Sequence, residues 1–393
     1  MEVVASNLTL DADHPIVRLQ RNALIAGVAG LALTAVGYFL SPEQFFRSYL
    51  LGFMYWFGIA LGSMAILMIH HIAGGAWGAV IRRLLESSIG TIPLLAVLFI
   101  PVALGVHHIY EWSHADVVAN DPILQSKAAY LNVPFFLVRA VIYFVIWFVV
   151  ATLLRRWSLQ QDGDTDPRII VRMELMSRGG LVIYGLTVTF AVVDWVMSLE
   201  PHWFSTVFGL LLMAGQGLSA FAICIPLAVM LSKRESVARV FGPSQYHDLG
   251  NLMLAFTMIW AYLSFSQLII IWSGNLPEET VWYFTRSEGG WKIVGFALLF
   301  LHFAVPFAVL LQKNIKRTGS KLALVALWML LMRFLDLYWL VAPSLHPQNA
   351  LPSWLDFTAV IGIGGVWLWF FVGRLAQNPV LAINDPSLPE VKA

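Results

Sequence analysis

Apolar runs of the ~20 residues needed to cross a hydrocarbon layer recur along nearly the whole chain, separated by short polar connections. Hydropathy predicts spans at 23–40, 48–70, 87–106, 133–154, 179–199, 204–231, 250–272, 291–312, 322–342 and 355–375. The pattern predicts an all-α polytopic membrane protein of about ten transmembrane helices in a single membrane domain. The first run is short and the sixth long, so the sixth is expected to tilt or to reach beyond the bilayer. Residues 1–17 are polar and acidic, and no small-residue cleavage site follows the first run, so an uncleaved signal anchor is expected.

Composition sharpens this. Of 393 residues, 59% are hydrophobic and 12% charged, against about a quarter charged in an ordinary soluble domain. The net charge of +1 argues against nucleic acid as a partner. The single cysteine, Cys224, lies inside an apolar run and reads as a packing residue. One thiol excludes a disulfide, a Cys-x-x-Cys-His haem attachment and a self-contained iron–sulfur cluster.

Charge then orients the chain. Of the 24 Lys and Arg residues, eighteen fall in the loops of one side, among them Arg82, Arg83, Arg155, Arg156, Arg374 and Lys392. Only Arg47, Lys127, Arg286 and Lys292 fall on the other. The expectation is that both termini and the 376–393 tail are cytoplasmic. The long outer loops 107–132 and 273–290 are aromatic and mostly acidic. They read either as connectors lying on the membrane or as a docking face for an extracytoplasmic partner. Residues 74–85 (GGAWGAVIRRLL) read as an interfacial helix with Trp77 and both arginines at headgroup level.

Spans five and nine resemble each other. Each has a late aspartate (Asp194, Asp336), a proline seven residues on (Pro201, Pro343) and a histidine outside (His202, His346). Spans two and six align loosely, GIALGSMA at 58–65 against GQGLSAFA at 215–222. Four helices separate the copies, so the halves point the same way. Two four-helix bundles are expected, spans 2–5 (48–199) and 6–9 (204–342), flanked by spans one and ten.

Ionisable groups inside helices are costly and face the interior. Arg139, Asp194, Arg333 and Asp336 are the four candidates. Arg139, Asp194 and Asp336 each lie roughly 8–10 Å below the outer interface, with Arg333 about a turn deeper. One reading is a pair of charge clamps. The other makes Asp194 or Asp336 a proton acceptor or a partner for a bound headgroup, with Arg139 and Arg333 as charge partners. Polar stripes accompany them, Tyr184, Thr187, Ala191 and Asp194 on span five and Thr257, Trp260, Ser264 and Gln267 on span seven. These suit a proton relay, or helix–helix contacts as glue; Gly58 and Gly62 read as close packing. The histidines offer no facing pair at matched depth, so no bis-His haem and no metal ligation is expected.

The stretch 55–88 (YWFGIALGSMAILMIHHIAGGAWGAVIRRLLESS), with 130–158, 198–209 and 262–286, resembles the polysulfide-reductase membrane-subunit family (NrfD-like). Within that family the chain is most similar to the ActF-type subunit of bacterial alternative complex III, the second quinone-binding-type subunit of that quinol:cytochrome c oxidoreductase. The resemblance covers essentially the whole chain. It implies two four-helix bundles, residence in the bacterial cytoplasmic (inner) membrane, and work in a respiratory electron-transport complex. Implied partners are extracytoplasmic iron–sulfur and c-type haem subunits, a paralogous NrfD-like subunit and the lipid bilayer. The candidate small molecule is quinone or quinol, menaquinone or ubiquinone. The paralogue that carries the quinol site has a His-x-Gly-Arg-type segment, which this chain lacks. That shifts the expectation from quinol oxidation by this chain towards assembly or proton translocation. The competing class is a secondary transporter, which also shows repeats and buried charges; Pro226 and Pro306 are its candidate kinks.

Overall fold

A computed structural model describes residues 8–10 and 14–388, with the backbone alone at 235 and 236. Lys392 and the last residues of the 376–393 tail lie outside the described residues. The chain is an all-α polytopic membrane protein: 82% of it is helical, and among the described residues there is no strand. Ten helices are long and apolar enough to cross a membrane. They are α1 (Pro15–Leu40), α2 (Pro42–Ala73), α3 (Arg82–Leu104), α4 (Val133–Gly163), α5 (Pro167–Leu199), α6 (Phe208–Leu231), α7 (Pro243–Gly274), α8 (Trp291–Leu311), α9 (Gly319–Leu345) and α10 (Trp354–Ala376). The sixth helix is shorter than expected, because residues 204–207 stay outside it.

Helix starts follow from side chains that satisfy free backbone N–H groups. Proline, which needs no N–H partner in the first turn, opens α1, α2, α5 and α7. Asn132 accepts from Phe135 N at 2.9 Å to start α4, and Asp166 accepts from Arg168 N at 2.9 Å to start α5. Ser353 and Asp356 cap α10 reciprocally.

The most hydrophobic stretch of α2 is 94% buried and that of α6 is 83% buried, against 22% for α7 and for α8. So α2 and α6 form the spine, while α7 and α8 present apolar faces outward, as lipid-facing helices do. α2 packs on α3, α5, α6, α9 and α10; α6 packs on α5, α7 and α9; and α4 packs on α3 and α5. At the spine crossing, a Cβ on Gly62 would lie 1.9 Å from the Gln216 carbonyl oxygen, so only glycine admits this approach. Gly27 and Gly30 of α1 meet Gly362 and Gly365 of α10 in the same way.

The 107–132 and 273–290 loops are folded. The first holds the short helices Ala115–Asn120 and Pro122–Lys127, and the second holds Pro277–Ser287. Each sends one cation towards the C-terminal part of α5 or α9. Lys127 donates to the Pro201 carbonyl at 2.5 Å, and Arg286 donates to the Leu340 carbonyl at 2.9 Å. Arg47 donates to the Leu345 carbonyl at 3.2 Å. Lys127 and Arg47 are therefore bound to carbonyls at or beyond the ends of α5 and α9, where a cation is favoured, while Arg286 reaches the last turns of α9 and pairs with Glu200 at 2.9 Å.

Candidate functional site

Asp194 sits at the end of the α-helical part of α5 and is fully buried. Arg139, under two turns into α4, meets it fork to fork: Nε to Oδ2 at 2.8 Å and Nη2 to Oδ1 at 3.0 Å. The Tyr143 hydroxyl, one turn along α4, donates to Oδ2 at 2.8 Å. The remaining guanidinium nitrogen donates to the Tyr130 carbonyl at 2.9 Å. The rings of Tyr130 and Phe135 lie 3.9 and 4.3 Å from the guanidinium carbon. Three side-chain donors from one helix thus converge on a carboxylate of the next, which is the geometry of a clamp between α4 and α5.

Asp336 is held differently. Its partner Arg333 belongs to the same helix, one turn back, and the aspartate's contact with another helix is through the Trp260 side chain of α7. The Arg333 guanidinium instead lies over α6, where a Cβ on Gly215 would come within 2.1 Å of it. Here α2, α6 and α9 leave a small, partly open cavity lined by Tyr55, Gln216, Ser219 and Arg333 among apolar neighbours. The Tyr184 hydroxyl reaches in from α5 and donates to Gln216 Oε1 at 2.7 Å. Nearby, His302 is completely buried with both ring nitrogens unpartnered, its ring 4.1 Å from that of Trp260. It sits in a π-helical turn, Leu298–Ala304, that interrupts α8.

The structure therefore brings Arg139 to Asp194 and Arg333 to Asp336, and gives the two pairs different surroundings. The polar stripes do not merge into one thread. Thr187 accepts from Trp147 at 2.9 Å and donates back to the Ile183 carbonyl at 2.7 Å. Thr257 donates back to the Met253 carbonyl, and Gln267 accepts from Ser205 at 3.0 Å. Tyr184 alone carries its stripe across to the cavity. Gly62 is a close-packing glycine, and Gly58 makes only an ordinary contact.

The expectation for 74–85 is corrected. Only Ala76–Ala79 forms a short separate helix after Gly74 and Gly75; Arg82 opens the third span, and both arginines are buried inside the protein, not exposed to lipid headgroups. They lie inside an ion network. Arg82 binds Glu86 at 2.9 Å and Asp385 at 2.8 Å, and donates to Ser158 and Gln161 at 2.8 Å each. Arg83 binds Glu86 at 2.6 Å and also pairs with Asp162. Three carboxylates from α3, α4 and the tail are what make burial of two guanidiniums tolerable. The spacing of Glu86, three and four residues after the arginines, was the available signal.

The tail completes the network. Residues 377–388 fold back across this end of the molecule. Ile383 N donates to Asp162 at 3.1 Å, Asn384 Nδ2 to the Gln161 carbonyl at 2.8 Å, and Val380 N to the Leu8 carbonyl at 3.0 Å. Asp385 is pushed up by burial, but His70, 3.8 Å away, and Arg82 outweigh this and hold its carboxyl below the usual range.

No protein-family model and no curated protein matches this chain. Among the described residues, no group of three or more His, Cys, Asp or Glu side chains is placed to hold a metal ion.

Proposed function

We propose that this chain is an integral membrane subunit of a respiratory quinol:electron-acceptor oxidoreductase, seated in the bacterial cytoplasmic membrane with both termini cytoplasmic. In this reading it anchors extracytoplasmic iron–sulfur and c-type haem subunits beside a paralogous NrfD-like subunit and handles protons within the bilayer. The reading rests on the NrfD-like, ActF-type resemblance of 55–88, 130–158, 198–209 and 262–286. The structural observation that supports it best is the Arg333–Asp336 pair beside a polar cavity at the crossing of α2, α6 and α9. An ion pair formed within one helix is not the two-helix clamp that Arg139 and Asp194 make, and buried ionisable groups of this kind mark proton or ligand paths. The folded 107–132 and 273–290 loops supply a shaped surface for the partners, with Ile123 and Phe284 exposed upon it.

The test uses the assembled complex in sealed vesicles with a quinol as electron donor. Asp336→Asn should lower quinol turnover or protons moved per electron while the complex still assembles. Asp194→Asn should instead reduce assembly. If the Asp336→Asn complex matches the parent in both measurements, the proton role is wrong. Gentle purification without iron–sulfur and haem-bearing partners would count against the complex itself. A second reading, a secondary transporter, is favoured by the π-helical turn in α8 with its unpartnered His302. Solute uptake by the chain alone in liposomes would establish it.

A further inference from the structure

At the arginine-rich end, the start of α3 packs against both α4 and α10. A small cleft, open to solvent, lies there, lined by Arg83, Glu86, Ser87, Arg155, Leu159 and Asn378 together with Leu375 and Pro379. Arg155, Leu159 and Asn378 are half-buried, so the space reaches the molecular surface. Its charges are unevenly matched. Glu86 already receives Arg82, Arg83 and the Ser158 hydroxyl, and Arg83 is also met by Asp162. Among the described residues, neither Arg155 nor Arg374, which precedes the lining Leu375, is within ion-pair distance of a carboxylate. Arg155 feels the like charges of both Arg374 and Arg83, offset in part by Glu86. Its guanidinium is nevertheless held against α3, over Gly90, where a Cβ would come within 3.0 Å of it. Among the described residues these two cations have only Glu86, already shared with Arg82 and Arg83, to offset them, and with one of them pinned they form an anion site.

Its position identifies the anion's source. Arg155 ends the apolar run of α4, at the level where lipid headgroups lie. Below it on the same helical face, seven and fourteen residues back, come Phe148 and Val141, which are 46% and 63% exposed. A phosphate bound above would have apolar surface directly beneath for its acyl chains. We propose that the mouth of this cleft binds the headgroup phosphate of an anionic phospholipid between α4 and α10, with Arg155 and Arg374 as its charge partners and the free N–H of the Asn378 side-chain amide as a hydrogen-bond donor. Basic pockets between helices on this side of a bilayer are suited to such headgroups, and each Lys or Arg contributes about fivefold to retention.

The test uses the full chain purified in neutral detergent, with phosphatidylglycerol, phosphatidylcholine and inorganic phosphate as probes, and counts lipid retained by native mass spectrometry. Phosphatidylglycerol should be retained saturably at one per chain, and phosphatidylcholine should not. Arg155→Gln and Arg374→Gln should each weaken retention about fivefold. Arg156→Gln, whose side chain is exposed and off the cleft, should change it less than twofold. If Arg155→Gln does not fold, Asn378→Asp, which adds a carboxylate at the rim, should weaken retention at least as much. Equal retention of phosphatidylcholine overturns the proposal. So does an equal loss in Arg156→Gln, which would mean diffuse attraction to a basic surface. Complete displacement by millimolar inorganic phosphate would make this a free-phosphate site and overturn the lipid assignment.

Discussion

Replacing Arg139 with Met keeps most of the aliphatic volume and leaves Asp194 fully buried, with Tyr143 as its remaining side-chain hydrogen-bond donor. The charge centres of a forked Arg–carboxylate pair sit about 4 Å apart, so at an effective dielectric of about 20 their attraction is about 4 kcal/mol. Stranding one buried charge should therefore cost about 3–5 kcal/mol. Asp194→Asn should cost a similar amount from the other side, because it leaves the guanidinium with only the Tyr130 carbonyl and two aromatic faces. The double substitution strands nothing. It should fall short of the summed singles by about 2–3 kcal/mol, the coupling expected of groups in direct contact. Reversible unfolding of the purified chain in mixed micelles, followed by tryptophan fluorescence, measures all four corners of the cycle. Additive costs, within about 0.5 kcal/mol, would refute the clamp.

Three further outcomes are expected. The folded tail should depend on pH in one direction only. With its folded value depressed, the Asp385 contribution is complete above the unfolded value of about 3.9 and is lost as pH falls through the folded one. Proteolysis within 377–388 should thus be unchanged from pH 8 to 5 and rise only in stronger acid, whereas Asp385→Asn should open the tail at every pH. Orientation is testable because the native Cys224 is buried and silent. An impermeant thiol reagent on intact cells should label Asn120→Cys and not Thr165→Cys, and the reverse pattern would invert the topology. Gly62→Ala should cost about 1–3 kcal/mol by overpacking the crossing of α2 and α6, while Gly58→Ala, with only Gln216 Cγ at 3.5 Å, should cost less than 1 kcal/mol; equal costs would sink the distinction.

What could be read from the chain and what could not divide along a physical line. Hydropathy is a local property, so the ten spans were legible even where α3 breaks at Gly90 and Phe99. Depth along consecutive helices is nearly local as well, so Arg139 and Asp194 could be matched across a single loop. The cavity beside Arg333 depends on three helices, of which α2 and α9 are hundreds of residues apart, and on Gly215 being small enough to receive the guanidinium. No spacing rule encodes that. The ion network was misread for a related reason. Arg82 and Arg83 look like headgroup arginines when seen with their neighbours alone, and their depth becomes tolerable only through Asp385, 303 residues away, and Asp162. The local clue, Glu86 at helical spacing, showed that the two arginines had company but not that they were buried. In a membrane chain, then, the position of a charge in sequence bounds its depth, while its partners decide whether it faces headgroups or the interior. Arg155 and Arg374 follow from that reasoning. They lie at the same end and carry the same charge as Arg82 and Arg83, yet among the described residues no carboxylate is within ion-pair distance of them, which is why we assign them an anion from the lipid.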